Sequence, residues 1–94
     1  MSEALALSGE LTIYRAAELK AELLAAAALG EAPVLDLAEV SEIDTAGVQL
    51  LLLAQREAAA RGATLALTRP SAAVREVFAL LELDAHLHTG GASA

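Results

Sequence analysis

The chain has no cysteine and no tryptophan, and its aromatic residues are one tyrosine and one phenylalanine, Tyr14 and Phe78. Without thiols there is no disulfide framework, no thiolate metal site and no cysteine nucleophile, and a reducing cytoplasm is the simplest compartment. With aromatics scarce, the core is expected to be aliphatic and helix-rich, built from Ala, Leu and Val around Tyr14 and Phe78. Basic residues number six against thirteen acidic ones, for a formal charge of −7. Counterion release needs Lys and Arg, so direct nucleic-acid binding is disfavoured, and anionic membrane surfaces are disfavoured by the same sign. No run reaches the roughly 18 apolar residues of a membrane span, and Met1 to Leu7 lacks the basic start of a signal peptide. The expectation is a cytoplasmic protein with no direct membrane insertion.

What remains is 94 residues in which hydrophobic types make up 56%, enough for one small domain with one core. That domain is expected over residues 1–88, with the Gly-rich stretch 89–94 as a flexible C-terminal tail. Ala4 to Ser8 alternates small and large apolar residues and ends at Gly9-Glu10, after which Leu11-Thr12-Ile13 resumes the alternation, which reads as a strand pair or as one strand bent at Gly9. Tyr14 to Leu29 changes to a helical period with Leu19, Leu23 and Ala26 on one stripe, and Gly30 stands where a C-cap would. Val34-Leu35-Asp36-Leu37 reads as a strand buried on both faces, Asp44 to Arg61 as a second helix stopped by Gly62, and Thr64 to Leu67 as a further strand. Ser71 is the expected N-cap of a third helix whose stripe is Val74, Val77, Phe78 and Leu81, and Asp84 to His88 adds a short strand or helix. The elements follow a β-β-α-β-α-β-α order. They predict an α/β domain with a mixed β-sheet and helices packed mainly on one side.

The most informative stretch is Ile43-Asp44-Thr45-Ala46-Gly47-Val48, where a strand-like run stops and a helix begins. Asp44 is placed to accept from the backbone N–H of Ala46 or Gly47, filling an orphan donor and complementing the helix dipole. Thr45 then becomes the first helical residue, with its hydroxyl at the rim where βα turns face solvent. Gly47 costs roughly 0.5 to 1 kcal/mol in a first turn relative to Ala, which calls for a reason such as close approach of another backbone or a partner. Winding this helix at about 100° per residue sets Val48, Leu51 and Ala58 opposite Gln49, Arg56 and Glu57. Leu53 then falls among the polar residues and Leu50 at the boundary, a candidate apolar anchor that ranks ahead of Tyr14.

Four segments, Gly9-Glu10-Leu11, Val34 to Leu37, Ile43 to Gly47 and Ser71 to Phe78, occur in an order and spacing that resemble the STAS domain of bacterial anti-sigma-factor antagonists. The resemblance implies a single STAS-like domain and a non-catalytic signalling switch. Thr45 takes the place of the hydroxyl residue phosphorylated by a partner that is both anti-sigma factor and serine-protein kinase. The implied partner-binding residues are Asp44, Thr45, Ala46, Gly47, Leu50 and Leu53. Asp-Thr followed by small residues also resembles the STAS accessory subunit of bacterial lipid-transport ABC systems and chemotaxis-associated STAS adaptors. In those proteins Thr45 would be an unmodified contact, in the first case for an ABC transporter ATPase.

Enzymatic constellations are poorly served. His86 and His88 have no third ligand, the lone Lys20 lies inside the first helix rather than at a strand end, and no nucleophile elbow or phosphate-cradling glycine loop is present. The acidic residues Asp36, Glu39, Glu42 and Asp44 read as loop charges. No catalytic residue, metal or cofactor is expected.

Overall fold

A computed structural model describes residues 4–28 and 32–88. Strand β1 spans Ala4–Leu11, a 3-10 turn Ile13–Arg15 leads into helix α1 (Ala16–Ala27), and β2 (Val34–Ile43) is followed by α2 (Thr45–Ala60). Then come β3 (Ala66–Thr68), α3 (Ala72–Leu80), a 3-10 turn Asp84–His86 and β4 (Leu87–His88). The α/β single-domain class holds. Within it, two details differ from expectation. The N-terminal pair is one strand bent at Gly9, whose φ is +77°, and the order is therefore β-α-β-α-β-α-β. The described sheet is parallel throughout, in the order β1-β2-β3-β4, because each strand is followed by a helix that carries the chain back before the next strand begins.

Register explains the layering. Leu5, Leu35, Leu67 and Leu87 stand side by side across the four strands, with the central two fully buried and the edge two packed half-buried against the core. The neighbouring row, Ala6, Asp36 and Thr68, points to the opposite face and stays exposed or half-exposed. One face is thus covered by helices and the other is open, so β2 is not buried on both sides. It is also longer than its apolar run, continuing to Ile43. Between Asp36 and Ile43 it carries two more residues than β1 does between Ala6 and Leu11, and the register shifts there. The Asp36 carboxylate accepts from the Ala38 N–H at 3.0 Å within this irregular segment and lies 3.4 Å from the Arg69 guanidinium, so it is a structural group rather than a solvated loop charge.

The helices supply the other half of the core. Leu19, Leu23, Ala26 and Ala27 from α1, Val48, Leu51, Ala54 and Ala58 from α2, and Val74 and Phe78 from α3 are buried with Leu7, Leu11, Leu35, Leu37 and Leu67. Phe78 is fully buried, whereas Tyr14 is 90% exposed, so the core forms around one aromatic and not two. The reason is geometric: Tyr14 sits in the 3-10 turn crossing the end of the sheet, outside the stripe that begins at Leu19. Gly62, with φ of +80°, ends α2 as expected, its N–H donating to the Ala59 carbonyl and that of Ala63 to the Ala58 carbonyl. Helix α1 ends with Ala28 as its C-cap, while the Gly30 cap and the tail 89–94 fall outside the described residues.

Candidate functional site

At the end of β2 the chain passes through Asp44 in extended backbone (φ −116°, ψ −175°) and turns into α2. An extended residue followed by helix leaves the first N–H groups without carbonyl partners, and a short carboxylate is well shaped to meet them. One carboxylate oxygen of Asp44, Oδ1, accepts from the Gly47 N–H at 3.0 Å. Its Oδ2 accepts from the backbone N–H of Ile13 at 3.1 Å, across 31 residues of sequence. The main chain is equally engaged: the Asp44 N–H donates to the Leu11 carbonyl at 3.2 Å, and the Asp44 carbonyl accepts from Val48 at 3.0 Å. The cap therefore fastens the end of β1, the 3-10 turn and the start of α2 to one residue. The Gly47 N–H, and then that of Ile13, hold the Asp44 carboxyl below the usual carboxylate range, because both bonds favour the charged form.

Gly47 is buried beneath this junction. A β-carbon there would run into the carbonyl oxygen of Leu11, 2.9 Å from its carbon and 3.0 Å from Cγ1 of Ile43. The absent side chain thus lets α2 lie against the end of β1, a close approach within the chain itself. Thr45 is exposed at the first position of the helix, and Ala46 is half-buried. Leu50 packs half-buried against the core and Leu53 is half-buried. With about 100° between residues, Leu50 lies about 140° and Leu53 about 80° around the helix from Thr45. The fold joins Asp44, Thr45, Ala46 and Gly47 in one turn and turns the two leucines away from it.

Two features beside Thr45 come from other elements. A cleft of about 340 Å³ opens next to Asp44, between the end of β2 and α3, with Ile43, Ala73 and Val77 as apolar lining and the exposed Glu42 and Glu76 as acidic lips. Ile13 and Tyr14 stand out 64% and 90% exposed on the turn that Asp44 holds. By exposure alone, Tyr14 stands ahead of the half-buried Leu53. The sequence signal is present but weak: Tyr14 reads as the start of the first helix, and Ile13 as the end of the alternating run before it. Among the described residues no group of His, Asp and Glu is arranged to hold a metal ion, and the His86 ring Nδ1 lies 3.0 Å from Oε1 of Gln55. No described helix is long and apolar enough to cross a membrane.

A family model described as "Mlab, STAS domain" matches residues 2–89. A comparison with curated proteins finds no match. Among solved structures, the chain is similar to the anti-sigma factor antagonist SpoIIAA in its unphosphorylated form, at 25% identity over 95% of this chain and 79% of that one, with a TM-score of 0.76. It shares its fold with the phosphorylated form of the Bacillus cell fate determinant SpoIIAA at 24% identity, covering 95% of this chain and 82% of that one, with a TM-score of 0.69. It also shares it with a sulfate transporter family protein from Wolinella succinogenes at 22% identity, covering 93% of this chain and 71% of that one, with a TM-score of 0.73.

Proposed function

The chain belongs to the STAS domain family, and from that premise we propose that it is a non-catalytic protein-binding switch whose partner reads the hydroxyl of Thr45. The observation that carries this reading is the exposure of Thr45 at the mouth of a capped helix, on a junction rigid enough to present it in one geometry. Similarity to an anti-sigma factor antagonist supports a signalling role. The partner in this reading is a cytoplasmic anti-sigma factor with serine-protein kinase activity, and catalysis belongs to it.

The physics of the switch is local charge. Phosphorylation adds about 1.5 to 2 negative charges. In the free protein the group would project into water at a helix N-terminus, which favours anions, so the fold survives. In a complex it would be desolvated next to the Asp44 carboxylate on a chain of net charge −7. A penalty of about 2.8 kcal/mol already weakens binding a hundredfold. Incubation with the kinase and ATP is expected to add one phosphate, at Thr45. Thr45→Ala blocks it, and Thr45→Glu keeps the fold while weakening capture of the kinase. Modification only at other residues, or equal binding by all three forms, refutes the switch.

A second reading keeps the surface and changes the visitor: an accessory STAS subunit of a lipid-transport ABC system, with Thr45 an unmodified contact for the ATPase. What favours it is that the matching family model bears the Mlab description. It predicts copurification with an ABC ATPase and a Thr45→Glu effect on that complex with no ATP-dependent modification. Recovery of a histidine-kinase-like ATPase in its place would reject this second reading.

A further inference from the structure

We infer that Ile13 and Tyr14 form the docking anchor for a partner protein that presents an apolar pocket rimmed by basic side chains. This deepens the reading above and rests on it, since the anchor adjoins the Thr45 turn. Isolated exposed apolar residues are ordinary, but here two large ones are adjacent in one short turn, 64% and 90% exposed. Their immediate neighbours are not loose. Leu11 and Thr12 before them are buried, and Leu19 of the following helix is buried. The turn crosses the sheet end, so its own side chains have no path to the core.

The turn is also held in place before any partner arrives. The Ile13 N–H donates to Asp44 at 3.1 Å, and the Arg15 N–H donates to the Thr12 carbonyl at 2.9 Å. The Arg15 guanidinium reaches back to the carbonyls of Ser8 at 3.2 Å and Glu10 at 2.8 Å. A tyrosine on a fixed backbone has few torsions left to order, which is why such residues carry a disproportionate share of binding energy at interfaces.

Charge identifies the occupant. Glu10 and Asp44 flank the turn, and Glu42 and Glu76 form the lips of the adjoining cleft. The cation of the turn, Arg15, is engaged by Glu18 at 2.7 Å as well as by the two carbonyls. The surface around the anchor is therefore acidic, and complementarity calls for Lys or Arg around the receiving pocket. A second copy of this chain would bring the same acidic rim and a charge of −7, so self-association opposes the field.

The test places photoreactive benzoylphenylalanine in the full chain, in place of Tyr14 and separately in place of Leu80, another strongly exposed apolar residue among those described, at 80%. After illumination in lysate of the native host, cross-linked peptides are mapped. The Tyr14 position is expected to yield one adduct, on a segment where an apolar residue is flanked by Lys or Arg. Adding Ile13→Asp is expected to cut its yield at least about tenfold, a hot-spot loss. The yield should also fall severalfold in about 1 M NaCl, where the Debye length is about 3 Å. Unchanged melting of the Ile13→Asp chain by circular dichroism confirms that the fold is intact. No adduct, an adduct with a second copy of the chain, an acidic target segment, or an equally strong adduct on the same segment from the Leu80 position overturns the anchor. Thr45 modification is read in the same samples: phosphate without the adduct sinks the anchor alone, and the adduct with Thr45 never modified sinks the phosphoswitch alone.

Discussion

Helices α2 and α3 begin in the same way, at the carboxyl ends of parallel strands, yet their first turns differ in reach. At α3 the Ser71 hydroxyl accepts from the Val74 N–H at 3.2 Å, and the Ser71 N–H donates to the Leu37 carbonyl at 3.2 Å. Its side chain serves only its own helix. At α2 the Asp44 carboxylate serves its own helix and a turn 31 residues away, while Gly47 lies beneath the end of β1. The contrast separates a local stop signal from a tertiary junction. The exposed hydroxyl and the exposed aromatic both sit on the junction, where position is set from several directions at once.

The contrast breaks most sharply at Gly47. Gly47→Ala gains about 1 kcal/mol of helix propensity and pays about 3 kcal/mol of overpacking against backbone that cannot yield, a net loss of about 2 kcal/mol. Urea unfolding measures it, and a neutral or stabilising result would mean that α2 does not approach Leu11 so closely. Next comes Asp44→Ala, expected to cost more than Ser71→Ala because it strands the Ile13 N–H as well as the Gly47 N–H. Ser71→Ala should cost about 1 kcal/mol. Equal losses at the two caps would reduce Asp44 to a local stop signal.

A pH series sharpens the same point. The Asp44 carboxyl is lowered in the folded state, so its contribution is fully present above the unfolded carboxylate value of about 3.9 and is lost as pH falls through the folded one. Asp44→Asn should flatten the acid limb of thermal stability, and an unchanged limb would contradict the assignment. The smallest effect lies at the far ends of the two helices. Both close with the same pair of backbone hydrogen bonds, but α2 places Gly62 in the left-handed position and α3 places Glu82 there, with φ of +58°. Glu82→Gly should therefore stabilise by about 1 kcal/mol, and no gain would show that Glu82 is compensated by its surroundings.

Much of the candidate site could be read in the sequence because capping is short-range chemistry. A cap side chain reaches an N–H two or three residues on, so Asp44 could be assigned to Ala46 or Gly47 from spacing alone, and Ser71 read as a cap. Gly47 announced itself as an anomaly of propensity, although nothing local told which backbone came near. The exposures of Leu53 and Tyr14 depart from what winding suggests for a single reason. Helical winding assigns a face relative to the helix axis, but the covering elements decide which face is wet, and the 3-10 turn Ile13–Arg15 takes Tyr14 out of the helix at whose start it was expected. The bend at Gly9 was visible as a break in alternation, whereas the extra residues in β2 lie beyond its apolar run, between Asp36 and Glu42, where no Gly or Pro marks the register shift.

The residue order by itself determined the helices, their caps, the apolar stripes and the parallel β-α repetition, because those follow from interactions within a few positions along the chain. Tertiary structure alone decided that the Ile13 N–H would meet Asp44, that the carbonyl of Leu11 would occupy the space above Gly47, and that Tyr14, on the turn held by Asp44, would face water. Such contacts join segments about thirty residues apart, and they exist only once packing of the sheet against its single layer of helices has brought the strand ends together.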